Sequence, residues 1–387
     1  MDQEEIKAKL RNSYYSKAPL IDFQYKLPIK VKYDSDYENA LEDILYDYLR
    51  CIKERVDNTV FRNTSNNISL IINAIKYYYE SNISKAKEVI NELLNAYISD
   101  KHIVSSLDES PALRGSTRTN TNTINNNKAY SDLSFFKARS RKGKYTRKDF
   151  LHIPFNKRGI VATQRFSIAG VPCMYFGASS FVCWIELGKP DEDEFYISSY
   201  EIPKKIKVLN LAITKNLIHG FAKQKLNSLI EFFPLVIATS FSVSEENRNF
   251  KSEYIVSQLI MQSLTELEID GVAYISKRVQ HHDERIQMGM ENFPSCVNLA
   301  IPMKREVNEL YSDFAKDIQL TKPINYKEFL NSKPTLNGDK VSFANLFEDS
   351  SVIYNGKQVN FTSLPFSQLD NYLVNLEHRT YENNKRN

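Results

Sequence analysis

Apolar residues recur at helical spacing three times within the first hundred positions. Between 38 and 56, Leu41, Ile44, Leu45, Tyr48, Leu49 and Ile52 return every three or four residues, which predicts an amphipathic helix. Ile68, Ile71, Ile72 and Ile75 predict a second helix over 67–79, and Val89, Ile90, Leu93 and Leu94 a third over 84–98. Three such helices in succession predict a small all-α bundle as an N-terminal helical domain, 1–104. The pattern then stops. Residues 105–131 contain GSTRTNTNTINNNK, which has almost nothing to bury and reads as a polar linker or mobile loop.

Downstream the period shortens. Strands are expected over 133–139, 194–200, 206–211, 272–276 and 296–302, with helices over 217–230, 235–241 and 253–267 between them. This predicts an α+β fold with a mixed α/β domain over 132–303. Residues 304–387 form a C-terminal extension, with a helix over 307–318, short strands at 340–343 and 351–354, and no chemical motif. The densest stretch is RFSIAGVPCMYFGASSFVCWIEL, 165–187. Within it VPCMYFG, punctuated by Gly170 before and Gly177 after, reads as a buried strand. Ser179 or Ser180 caps a short helix carrying Phe181, Val182, Trp184 and Ile185. Glu186 then stands near the end of a helix that is apolar almost all round, and a buried carboxylate needs either an ion-pair partner or a use.

Composition changes this picture little. With 387 residues, 42% hydrophobic and 12% aromatic, the chain has the make-up of a folded protein of two or three domains. The start, MDQEEIKAKLRNSYY, has no apolar signal region, and no window approaches the ~20 apolar residues of a membrane helix, so a cytoplasmic location and no membrane partner are expected. Cys51, Cys173, Cys183 and Cys296 form no CxxC pair and read as free thiols. His281, His282, Asp283 and Glu284 form the one cluster of ligand-type residues, but it lacks a further ligand at a recognisable spacing, so no metal is expected. A net charge of +4 is too mild to point to nucleic acid. The segment KARSRKGKYTRK, 137–148, is locally basic and reads as a solvated loop, a nucleic-acid patch or an attractor for an anionic ligand.

Arg165, Tyr175, Glu186 and, much later, Ser276 in DGVAYIS are four polar groups among apolar neighbours. Their order and spacing, ten residues from Arg165 to Tyr175 and eleven from Tyr175 to Glu186, resemble the RES domain, and the likeness runs over 133–302. The resemblance implies an ADP-ribosyltransferase-like fold of the longer type with an N-terminal helical domain, and a bacterial toxin that consumes NAD. It implies cleavage of the nicotinamide N-glycosidic bond by a glycohydrolase or phosphorylase, with transfer of ADP-ribose to a protein or nucleic acid as one alternative and a catalytically silent scaffold as another. Carried over by position, Glu186, Arg165 and Ser276 would be catalytic. Arg165, Tyr175 and Ser276 would bind NAD, which is substrate, with no further cofactor. Shorter members pair with an antitoxin, so a regulatory protein partner is left open here, as is self-association.

Overall fold

The computed structural model describes residues 27–113, 116–118, 129–213, 223–245, 248–278, 296–305, 308–332, 334, 341–343, 351–354 and 357–384. The chain divides into two compact units, Met1–Tyr97 with Ile213–Val256, and Ile98–Ala212 with Ser257–Asn387.

In the first unit the three predicted helices are present as Tyr37–Ile52, Asn58–Tyr79 and Ile83–Asn95. The second starts well before its apolar stripe because the Asp57 carboxylate accepts from the N–H groups of Thr59 and Val60 at 2.9 and 3.0 Å, capping it. A fourth helix, Lys223–Ala238, belongs to this unit. The sequence predicts two helices here, broken near Pro234, yet one helix runs through the proline. A proline removes the N–H that would bond the carbonyl four residues back. That carbonyl, on Ile230, instead accepts from the Tyr48 hydroxyl at 2.8 Å, so nothing is left unsatisfied.

The second unit is built on a nine-stranded sheet. In chain order its strands are β1 (Val104–Ser106), β2 (Phe135–Ser140), β3 (Cys173–Gly177), β4 (Phe195–Glu201), β5 (Lys207–Asn210), β6 (Gly271–Ile275), β7 (Val297–Pro302), β8 (Gln319–Leu320) and β9 (Ile324–Asn325). Across the sheet the order is β8–β4–β2–β3–β7–β6–β5–β1, with β9 also on β4, and only β5 and β6 run parallel. The architecture is mixed α+β. Alternation along the strands sends Met174, Phe176, Leu299 and Ile301 into one core, and turns Tyr175, Gly177 and Asn298 to the opposite face. On that opposite face lie α1 (Ser180–Glu186) and α2 (Pro365–Val374), packed with Phe136 and Phe195 in a second core.

The boundaries differ from those the sequence predicts. Residues 213–256 leave the 132–303 domain because Leu229 to Ala238 is buried on every side, and its packing partners are the helices of the first unit. The 105–131 stretch is no linker at its start, since Val104–Ser106 is a sheet strand and Leu113 is buried. Residues 304–387 are no appendage either: β8 and β9 extend the sheet, and α2 is part of the second core. The expected helix over 307–318 shortens to Asp313–Asp317. The cluster at 281–284 lies outside the described residues.

Candidate active site

Glu186 is placed by two glycines. At Gly177 an added Cβ would lie 2.5 Å from Val182 and 2.8 Å from the Cys183 sulfur, so its bare backbone lets α1 settle directly against the end of β3. Ser179 caps that helix, accepting from the Val182 N–H at 3.2 Å as the sequence predicts. Gly188, at φ +80, then ends it in the left-handed conformation. The carboxylate of Glu186 therefore sits at a helix C-terminus, where the helix dipole disfavours negative charge. It is half-buried rather than fully buried, with its side chain 32% exposed. Two groups hold it. The Asn298 amide, on β7, donates to Oε1 at 2.5 Å, and the Arg278 Nε lies 3.8 Å from Oε2.

Ser276 closes β6, is buried, and its Oγ accepts from the Arg278 N–H at 3.3 Å. Ser276 and Glu186 are thus joined through one residue. Lys277, between Ser276 and Arg278 in sequence, is half-buried. Loss of solvent and the nearby Arg165 guanidinium push its ammonium down to about 7, while Glu186 pulls the other way. Arg165 and Glu186 therefore both lie close enough to act on the same amine.

Arg165 itself opens the turn before β3. The next residue, Phe166, is fully buried and its ring lies 4.4 Å from that of Tyr274 on β6. The Tyr175 hydroxyl donates to the Phe166 carbonyl at 2.8 Å, and burial raises its phenol above the ordinary range. Tyr175 thereby ties the Arg165 turn to the middle of the sheet. All four residues singled out in the sequence lie in this one neighbourhood. Asn298, Lys277 and Arg278 complete it.

The basic segment 137–148 is largely spoken for. Lys137 donates to the Leu151 carbonyl at 3.0 Å and is pushed down to about 7 by burial and by Arg139. Arg139 lies over the Phe150 ring, Arg147 donates to the Leu320 carbonyl at 2.9 Å, and Lys142 pairs with Asp193 at 2.9 Å. These contacts fasten the segment to the second unit. Among the described residues no group of three His, Cys, Asp or Glu could hold a metal ion, and no helix is long and apolar enough to cross a membrane.

A Bacillus subtilis (strain 168) protein named "Putative toxin YopC" is 30% identical over 216 residues, covering 51% of this chain and 48% of that protein. The chain spans about half the length of this curated relative. It is similar to a protein named as a toxin. No family model matches it, and no solved structure does.

Proposed function

We propose that this chain is an NAD-consuming, toxin-like enzyme of RES type that cleaves the nicotinamide N-glycosidic bond. The observation that supports it is the placing of Arg165, Tyr175 and Ser276 in one neighbourhood with the Glu186 carboxylate, which is held at an unfavourable helix end, half-open to solvent. In NAD the leaving nicotinamide is cationic at its ring nitrogen, so departure needs no general acid and leaves a cationic ribose. A carboxylate that hydrogen-bonds the ribose hydroxyls stabilises that charge as it develops. Glu186 is suited to this, with Oε1 tied to Asn298 and Oε2 facing Arg278. Arg165 supplies permanent charge for the pyrophosphate. The half-buried Tyr175 offers a ring edge to the nicotinamide while holding the Arg165 turn. Ser276 steers the residues beside Glu186 through its contact with the Arg278 backbone.

Nicotinamide release from NAD by the purified chain tests this. The expected result is turnover in the wild type and a loss of at least about 100-fold in Glu186→Gln, with an unchanged melting temperature. No release from a folded wild type would overturn the proposal. Running the reaction with and without phosphate, and with labelled NAD, separates hydrolysis, phosphorolysis and transfer to a macromolecule by product.

A further inference from the structure

One side chain at this site was invisible to the family spacing and nonetheless makes a direct hydrogen bond to Glu186. Asn298 is 4% exposed, the second residue of β7, and pairs across the sheet with Gly177 on one side and Tyr274 on the other. Along VNLAIP it is the one polar residue, and a carboxamide in a central apolar strand is unfavourable unless its hydrogen bonds are made. Its Nδ2 makes one, to Glu186 Oε1, at 2.5 Å. Gly177, its cross-strand neighbour, is the residue whose missing Cβ brings α1 close, so the donor and the helix carrying the acceptor are set by adjacent positions of the sheet.

We propose that Asn298 is a positioning residue: it fixes the rotamer of Glu186 so that Oε2, and not Oε1, is the oxygen presented to the ribose of the substrate. The inference rests on the NAD-cleaving reading of the site and deepens it. An amide suits the task because it donates without adding charge. Arg278 alone could not set the orientation, since its 3.8 Å approach is an ion pair without hydrogen-bond geometry and its side chain is 60% exposed. A neutral donor on a strand and an exposed cation divide the work. The strand fixes direction and the cation offsets the helix dipole.

The test is a double-mutant cycle on nicotinamide release with N298A, E186Q and the pair together. N298S replaces N298A if the alanine variant does not fold. We expect N298A to lower kcat by about 10- to 100-fold, the size of one hydrogen bond to a charged group, with KM nearly unchanged. In the E186Q background the same change should have no further effect. Asn298→Asp sets a second carboxyl against the first and should move the acid limb of the kcat profile to higher pH, as it must if position 298 faces the reacting carboxylate. An equal loss in both backgrounds, or an unmoved acid limb, overturns the proposal. The crystal structure of N298A gives a reading that needs no activity. A Glu186 side chain that keeps its rotamer refutes the positioning role, and a redirected one supports it even if the wild type releases no nicotinamide.

Discussion

Lys277 is a residue of the site whose chemistry departs from what its letter suggests. At pH 7 an amine pushed down to about 7 is about half neutral, against roughly one in three thousand for an ordinary lysine. Limited acylation at neutral pH, read by peptide mass spectrometry, should therefore modify Lys277 well ahead of the exposed lysines. Saturating ADP-ribose should protect it if the anion binds beside Arg165. Such a residue cannot be read from SKR in a polar run, because its desolvation comes from chain segments distant in sequence. Arg165, Tyr175, Glu186 and Ser276 were legible because their spacing is a pattern in one dimension. Asn298 left a fainter mark, a single polar letter in an apolar strand, and only the register of β3, β6 and β7 gives that letter a partner.

At the scale of elements, α1 depends on α2 more than on its own seven residues. The Asp370 carboxylate accepts from the Ser180 N–H at 2.9 Å, and the Ser180 hydroxyl donates to the Phe366 carbonyl at 3.2 Å. Phe366 lies against Phe181 and Trp184 and stacks on Tyr326. Phe366→Ala should destabilise the second unit by about 3–5 kcal/mol, measured by urea unfolding, and lower nicotinamide release as α1 loosens. Asp370 is fully buried, and burial raises its carboxyl to about 8 from 3.8. A raised carboxyl contributes stability that is fully present below the unfolded value and lost as pH rises through the folded one. Asp370→Asn removes that titration, so the stability of the variant relative to wild type should climb between pH 4 and pH 8 and level off above. A flat difference across that window would refute it. The sequence carried the signs of α2 in a proline at its first position and apolar residues at Phe366, Leu369 and Leu373. The helix is hard to read from sequence because ten residues hold fewer than three turns of apolar spacing.

At the scale of the molecule, the N-terminal unit is sewn from two distant pieces of chain. Its helices over 37–95 were legible from periodicity, but the fourth, Lys223–Ala238, was assigned to the wrong unit because an all-round apolar helix carries no directional stripe. Deleting 1–97 alone should leave that helix without its packing partners and yield aggregates on size exclusion. Deleting 213–256 as well, with Ala212 and Ser257 joined by a flexible linker, should restore solubility. The hold of Asp370 on the first turn of α1 has a further consequence in time. Asp370 follows Glu186 by 184 residues, and at ~5–20 residues per second the ribosome needs roughly 10–40 s to cover that interval. A nascent chain halted between Asn298 and Asp370 already holds every polar group of the site but not the acceptor that anchors its helix. Translation itself then acts as a safety catch, because a chain abandoned in that interval leaves α1, and the Glu186 it carries, without the Asp370 anchor.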